Sequence, residues 1–305
     1  MTIIGKGCIV CVASLVTAIG CAWVQARQPD RVLDIWPNLA PGETTGDIGK
    51  ALPTRATEIP PATRIAGITR PQLHFYASPS AKENTAAALI FPGGGYNYVV
   101  VDKEGSEIAE WLNGLDVHAF VVHYRTKLAG QAADAMWKRP VQDGQRAIRI
   151  VRQKASELKI AVDKIGVIGF SAGGNAAGLV ATRFGQPDYQ PLDDVDRLSC
   201  RPDFAMLIYP WQLANSAGDN LSELVTVGKN TPPTFLAHAH DDRVTPLSSV
   251  YFYAALQKNG VSGELHIYQN GGHGYGARPV ANSEVASWTV RAADWLRLRC
   301  LSSSK

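Results

Sequence analysis

The sequence predicts an α/β fold: a single domain on a mostly parallel, twisted sheet with helices on both faces. Three observations lead there. Short apolar runs alternate with amphipathic ones along most of the 305 residues, and such alternation implies right-handed crossovers between parallel strands. Two of the runs, 86–91 (Ala-Ala-Ala-Leu-Ile-Phe) and 205–209 (Ala-Met-Leu-Ile-Tyr), are apolar throughout, as strands buried on both faces should be. At 164–174 a strand signal runs straight into Gly169-Phe170-Ser171-Ala172-Gly173 and then into a helical stretch, 175–184.

The elements follow in order. Residues 27–67, rich in Pro, Gly and Thr, read as an extended lead-in that wraps the domain. Strands are predicted at 73–76, 87–91, 118–124, 165–170, 204–209, 234–239 and 264–268. Helices are predicted at 108–112, 141–158, 247–258 and 284–298, besides 175–184. In the second, Ala147, Ile148, Val151 and Ala155 recur at helical spacing. With 46% apolar and 19% charged residues the chain has material for a sizeable core. A formal net charge of +3 is too small to imply nucleic acid or an anionic membrane as partner.

Ahead of the fold lies a leader. After Lys6, residues 8–24 carry no charge, and Val24-Gln25-Ala26 offers the small residues of a signal peptidase cut. The expectation is a signal peptide at 1–26 and an exported protein, periplasmic or secreted. As an uncleaved anchor the segment is only marginally long enough. A lipoprotein reading on Cys21 lacks the usual Leu three residues earlier. Cleavage leaves Cys200 and Cys300, which an exported protein can hold as one disulfide or as two thiols. Both would lie on the face opposite the site.

In wound sheets the site sits at the carboxyl ends of the strands. A Ser on a sharp strand-to-helix turn needs Gly two residues either side, so Ser171 is the candidate nucleophile. After the strand ending at Phe91 comes Pro92-Gly93-Gly94-Gly95-Tyr96, whose backbone N–H groups can face a developing oxyanion, with the N–H of Ala172 as the other wall. After the strand ending near Ala239 comes His240-Asp241-Asp242; Asp242 is chosen as the carboxylate that orients an imidazole, Asp241 as a loop or capping residue. His238 and His240 are assigned structural roles. After the last strand, Gly271-Gly272-His273-Gly274 offers a general base. The order Ser171, Asp242, His273 is that of one known triad arrangement. No His-Glu-x-x-His or paired Cys/His spacing marks a metal site, and no cofactor is called for.

On these residues the chain resembles the α/β-hydrolase superfamily, within it the acetyl esterase/lipase group that includes exported carbohydrate acetyl esterases of the acetylxylan type. The resemblance runs from about Ile35 to about Leu298. It rests on 35–42 (Ile-Trp-Pro-Asn-Leu-Ala-Pro-Gly), 91–96, 109–113, 141–148 (Val-Gln-Asp-Gly-Gln-Arg-Ala-Ile), 169–174, 242–246 and 272–274. It implies a single α/β-hydrolase domain over 68–305 and, by carry-over, Gly94 and Gly95 as oxyanion donors beside Ala172. Pro92, where lipid-directed relatives have His, favours the carbohydrate-esterase-like branch. The implied activity is a serine esterase for short, acetyl esters on a small molecule or oligosaccharide; a general carboxylesterase or lipase, or a peptidase on the same fold, is the alternative. Residues 125–140 are placed over the site, and Tyr96, Trp137 and Trp211 are candidate substrate contacts.

Overall fold

The computed structural model describes residues 27–128, 130–131 and 135–301; the expected leader at 1–26 lies outside them. Eight strands form one mixed sheet: in spatial order β1 (Arg31–Asp34), β4 (Gln72–Tyr76), β7 (His118–His123), β5 (Thr85–Phe91), β8 (Ile160–Phe170), β9 (Ala205–Ile208), β10 (Thr234–Ala239) and β11 (Gly263–Tyr268). The β1–β4 and β4–β7 pairings are antiparallel and the rest parallel.

On β5 the side chains alternate between two cores. Ala87, Leu89 and Phe91 join the core beneath α2 (Lys138–Gln153), α3 (Ala172–Thr182) and α4 (Leu247–Lys258). Ala86, Ala88 and Ile90 join the core beneath α1 (Glu107–Asn113) and α5 (Trp288–Leu296). A strand sandwiched this way must be apolar at every position, which is why 86–91 carries no polar residue. Helix α2 begins earlier than expected because Pro140 falls in its first turn, where the missing N–H costs nothing.

The lead-in departs from expectation. It is not merely extended: β1 joins the main sheet, while β2 (Ile48–Ala51), β3 (Arg64–Ile68) and β6 (Tyr98–Val100) make a small antiparallel sheet. These strands are short, and β1 and β2 are largely exposed, so they carry no period-2 apolar pattern for a sequence reading to find.

Strand β5 lies between β7 and β8, so the chain leaves β5 in one direction and returns on its other side. This reversal opens a crevice at the carboxyl ends of β5 and β8. Phe91 pairs with Gly169, Phe170 with Ile208, and Ala239 with Tyr268. The loops after β5, β8, β10 and β11 therefore emerge along one edge.

Cys200 is a buried free thiol that donates to Phe184 O at 3.4 Å; of the Cys300 side chain nothing is described. No helix among the described residues is long and apolar enough to cross a membrane.

Candidate active site

Ser171 sits between β8 and α3 with φ 53° and ψ −117°, a conformation that non-glycine residues avoid at a cost of about 1–3 kcal/mol. The flanking glycines allow it. A Cβ on Gly169 would fall 2.2 Å from Gly173 O, and one on Gly173 would fall 2.0 Å from Phe91 O. The backbone fixes the turn further: Ser171 N–H donates to Ile208 O at 3.2 Å, and Ser171 O accepts from Asn175 and Trp211 N–H at 3.0 and 2.9 Å.

His273 reaches Ser171 from the loop after β11. Its Nε2 lies 2.8 Å from Ser171 Oγ and its Nδ1 2.7 Å from Asp242 Oδ2. Asp242 is fully enclosed. Burial by itself would raise its carboxyl, but hydrogen bonds from His238, His273 and the Val244 N–H hold it below the ordinary carboxylate range. His238 stands 3.2 Å from Asp242 Oδ2 and is itself held by Val244 O and Ser249 Oγ, both at 2.9 Å. Asp241 points elsewhere: its Oδ1 accepts the Gly272 N–H at 2.8 Å and so pins the base of the histidine loop.

The glycine loop after β5 approaches from the other side. Gly94 has φ 139°, and a Cβ there would lie 1.9 Å from Tyr98 O, so only glycine fits. Among the described residues no acceptor takes the N–H groups of Gly94, Gly95 or Ala172, the last being an uncapped helix start. Two groups clamp the loop's first residues. Tyr124 Oη donates to Pro92 O at 2.5 Å, and Glu104 Oε2 accepts from Gly93 N–H at 2.7 Å. The other Glu104 oxygen accepts from Tyr209 Oη at 2.8 Å, and that hydroxyl accepts the Gly276 N–H at 2.9 Å. Burial, then the Glu104 charge, raise the Tyr209 and Tyr124 hydroxyls well above their ordinary value, so both stay protonated donors. One buried carboxylate thus ties the glycine loop to the histidine loop. Sequence reading missed it because 102–107 (Asp-Lys-Glu-Gly-Ser-Glu) looks like solvated surface.

A cavity of about 430 Å³ opens over Ser171, bordered by Gly94, Gly95, Trp211, His273 and a charged rim that includes Arg55, Glu58 and Arg64 from the lead-in. Of the three aromatic candidates only Trp211 borders it. Tyr96 is buried, its hydroxyl donating to Asn175 Oδ1 at 2.7 Å. With Trp137 it lines a second cavity of about 320 Å³ that shares Trp211 as a wall. No described residue of 125–140 borders the Ser171 cavity; Met136 and Trp137 line the adjoining one across Trp211, Arg125 turns inward to pair with Asp143, and residues 129 and 132–134 lie outside the described part. Among the described residues no group of three or more His, Cys, Asp or Glu side chains is arranged to hold a metal ion.

The chain has counterparts among known proteins. The family model BD-FAE matches residues 73–197 and that of the prolyl oligopeptidase family residues 205–298. An acetylxylan esterase of Xylanibacter ruminicola is 29% identical over 61% of this chain and 40% of its own length. Endo-1,4-beta-xylanase B of Butyrivibrio fibrisolvens is 30% identical over 65% of this chain and 33% of its own. The chain thus spans well under half the length of these two curated relatives. The crystal structure of an acetyl ester-xyloside bifunctional hydrolase from Caldicellulosiruptor lactoaceticus superposes with a TM-score of 0.69 and 31% identity, over 89% of this chain and 97% of that one.

Proposed function

The chain belongs to the α/β-hydrolase superfamily, and from that premise we propose that it is an exported serine esterase removing short acyl groups, acetyl foremost, from carbohydrate. One observation carries the reading: Ser171 Oγ, His273 and Asp242 form a continuous hydrogen-bonded line beside three N–H groups that no acceptor among the described residues takes. In this reading His273 Nδ1–H donates to Asp242, which leaves Nε2 to accept the Ser171 proton as Oγ attacks the ester carbonyl. The N–H groups of Gly94, Gly95 and Ala172 hold the tetrahedral oxyanion, helped by the positive end of α3. His273 returns the proton to the leaving alcohol. Water, activated by the same imidazole, then releases the acid and regenerates Ser171. Neither metal nor cofactor enters these steps.

Carbohydrate as the alcohol is supported by the names of the xylan-directed relatives and of the acetyl ester-xyloside hydrolase. The charged rim argues against a long lipid chain. The match of 205–298 to the prolyl oligopeptidase family favours a second reading, peptide-bond cleavage by the same triad.

The test compares p-nitrophenyl esters of two to twelve carbons, acetylated xylo-oligosaccharides and peptide p-nitroanilides. The expected result is fastest turnover of the acetyl ester, free acetate from the oligosaccharide and no anilide release. Ser171→Ala should lower kcat by at least about 10⁴-fold; wild-type turnover in that variant refutes the mechanism. N-terminal sequencing of the exported protein should begin at Arg27.

A further inference from the structure

The charge around the Ser171 cavity is unevenly matched. Four cations border it, Arg55, Arg64, Lys103 and Arg243, against two carboxylates, Glu58 and Glu104. Arg64 and Lys103 converge on the single carboxylate of Glu58. Glu104 is turned to its interior partners, Gly93 N–H and Tyr209 Oη. Among the described residues Arg243 has no hydrogen bond or ion pair, and the Arg55 guanidinium bonds only Tyr98, whose hydroxyl accepts from Nη2 at 3.1 Å beneath a guanidinium 6.0 Å from the ring. Elsewhere the described arginines are paired with carboxylates; only Arg55, Arg243 and Arg299 make no ion pair. Two of those three face one cavity, and Arg243 directly follows Asp242 of the triad.

Unmatched guanidiniums at a concave surface focus potential and favour an anionic ligand. Their planar fork suits a carboxylate, and the nearby Glu58 and Glu104 weigh against a dianion such as phosphate. We propose that Arg55 and Arg243 form a carboxylate-binding subsite, so that the preferred ester bears a carboxylate beside the scissile group. Two substrate classes carry that chemistry: an acetylated oligosaccharide with an acidic, uronate sugar, and an acyl group that ends in its own carboxylate. The proposal rests on the esterase reading above and adds the charge of the substrate to it.

The experiment measures kcat/KM for matched pairs: acetylated xylo-oligosaccharide with and without a glucuronic acid branch, and p-nitrophenyl hemisuccinate against p-nitrophenyl acetate. Wild type at low salt should prefer the anionic member of one pair by on the order of tenfold or more, and the pair that shows it tells which side of the ester carries the carboxylate. Arg243→Gln and Arg55→Gln should each reduce that ratio several-fold, and the double variant should bring it to about one. Arg299→Gln, an unpaired arginine outside the cavity, should leave the ratio unchanged. Salt at about 1 M should flatten the wild-type preference, since exposed charges are then screened within about 3 Å. Wild-type ratios near one in both pairs, or a ratio the double variant does not move, overturn the subsite. A second readout is independent of turnover: calorimetric titration of unesterified glucuronate-bearing xylo-oligosaccharide into Ser171→Ala protein. Binding there that is lost with Arg55→Gln and Arg243→Gln supports the subsite even if the ester assays fail, whereas absence of binding to Ser171→Ala itself counts against it. Failure of every ester, neutral and charged, would sink the esterase reading alone.

Discussion

At the scale of single residues, the site depends on atoms that are absent as much as on those present. Gly173→Ala puts a methyl 2.0 Å from Phe91 O, between two rigid backbones that cannot yield. The expected loss is about 3 kcal/mol or more, read as a drop in thermal midpoint together with lost activity. The two adjacent aspartates separate cleanly by their partners. Asp242→Asn removes the charge that orients His273 and should lower kcat by about 10³–10⁴-fold. Asp241→Asn disturbs only the Gly272 anchor and should cost under about tenfold; equal effects in steady-state kinetics would contradict this division. Glu104 acts as a positioning residue. Glu104→Gln sets an amide N–H₂ against the Gly93 N–H, displacing the glycine loop, or, flipped, leaves the Tyr209 hydroxyl proton without its acceptor. It should lower kcat by about 10- to 100-fold, less than losing an oxyanion donor outright, with KM little changed. Ser171, Asp242, His273 and the glycines were legible in the sequence because each sits at a strand end in a recognisable pattern. Glu104 was not, since its role arises only when distant segments meet; the structural role assigned to His238 is met by its local contacts with Asp242, Val244 O and Ser249 Oγ.

At the scale of elements, the β4–β7 pair carries a pH dependence. His74 and His123 stack with ring centroids 3.7 Å apart, and the buried Nε2 of His74 has no hydrogen-bond partner among the described residues. Burial lowers His74 to about 4, and burial together with the neighbouring His74 lowers His123 well below its ordinary value. Both are neutral in the folded protein, while the unfolded chain takes up protons below about 6.5. Their contribution is therefore present in full above pH 6.5 and is lost as pH falls from 6.5 toward 4. For His74 the loss is at most about 3 kcal/mol. Urea midpoints measured across that window should fall more steeply for wild type than for His74→Gln; parallel curves would rule the pair out as the cause. The principal strands and helices were legible from periodicity. The four missed strands, β1, β2, β3 and β6, are edge or satellite elements of three to five residues, too short or too exposed for a periodic signal.

At the scale of the whole molecule, the lead-in is fastened to the domain through its interior. Trp36 Nε1 donates to Asp143 Oδ1 at 2.8 Å, with the Arg125 and Arg146 guanidiniums each 5.7 Å from its ring. Arg125 binds Asp143 from the β7 end and also donates to Pro41 O at 2.8 Å. The motifs at 35–42 and 141–148, far apart in sequence, are thus two halves of one buried joint. Asp143→Ala strips the bidentate partner from Arg125, leaving that buried charge to Glu43 at 3.2 Å, and should destabilise the fold by about 3 kcal/mol, measured by chemical denaturation; a change under about 1 kcal/mol would show that the joint does not hold the lead-in. The same lead-in supplies Arg55, Glu58 and Arg64 to the cavity rim. The sequence by itself determined the wound α/β architecture, the strained serine turn and the residue types of the triad, because strand periodicity and the steric demand for glycine are local. Only the tertiary structure decided which aromatic borders the cavity, which buried carboxylate ties its loops together, and which cations remain unmatched there. Those depend on how separated strand ends and loops converge across the sheet edge, and no spacing along the chain encodes that meeting.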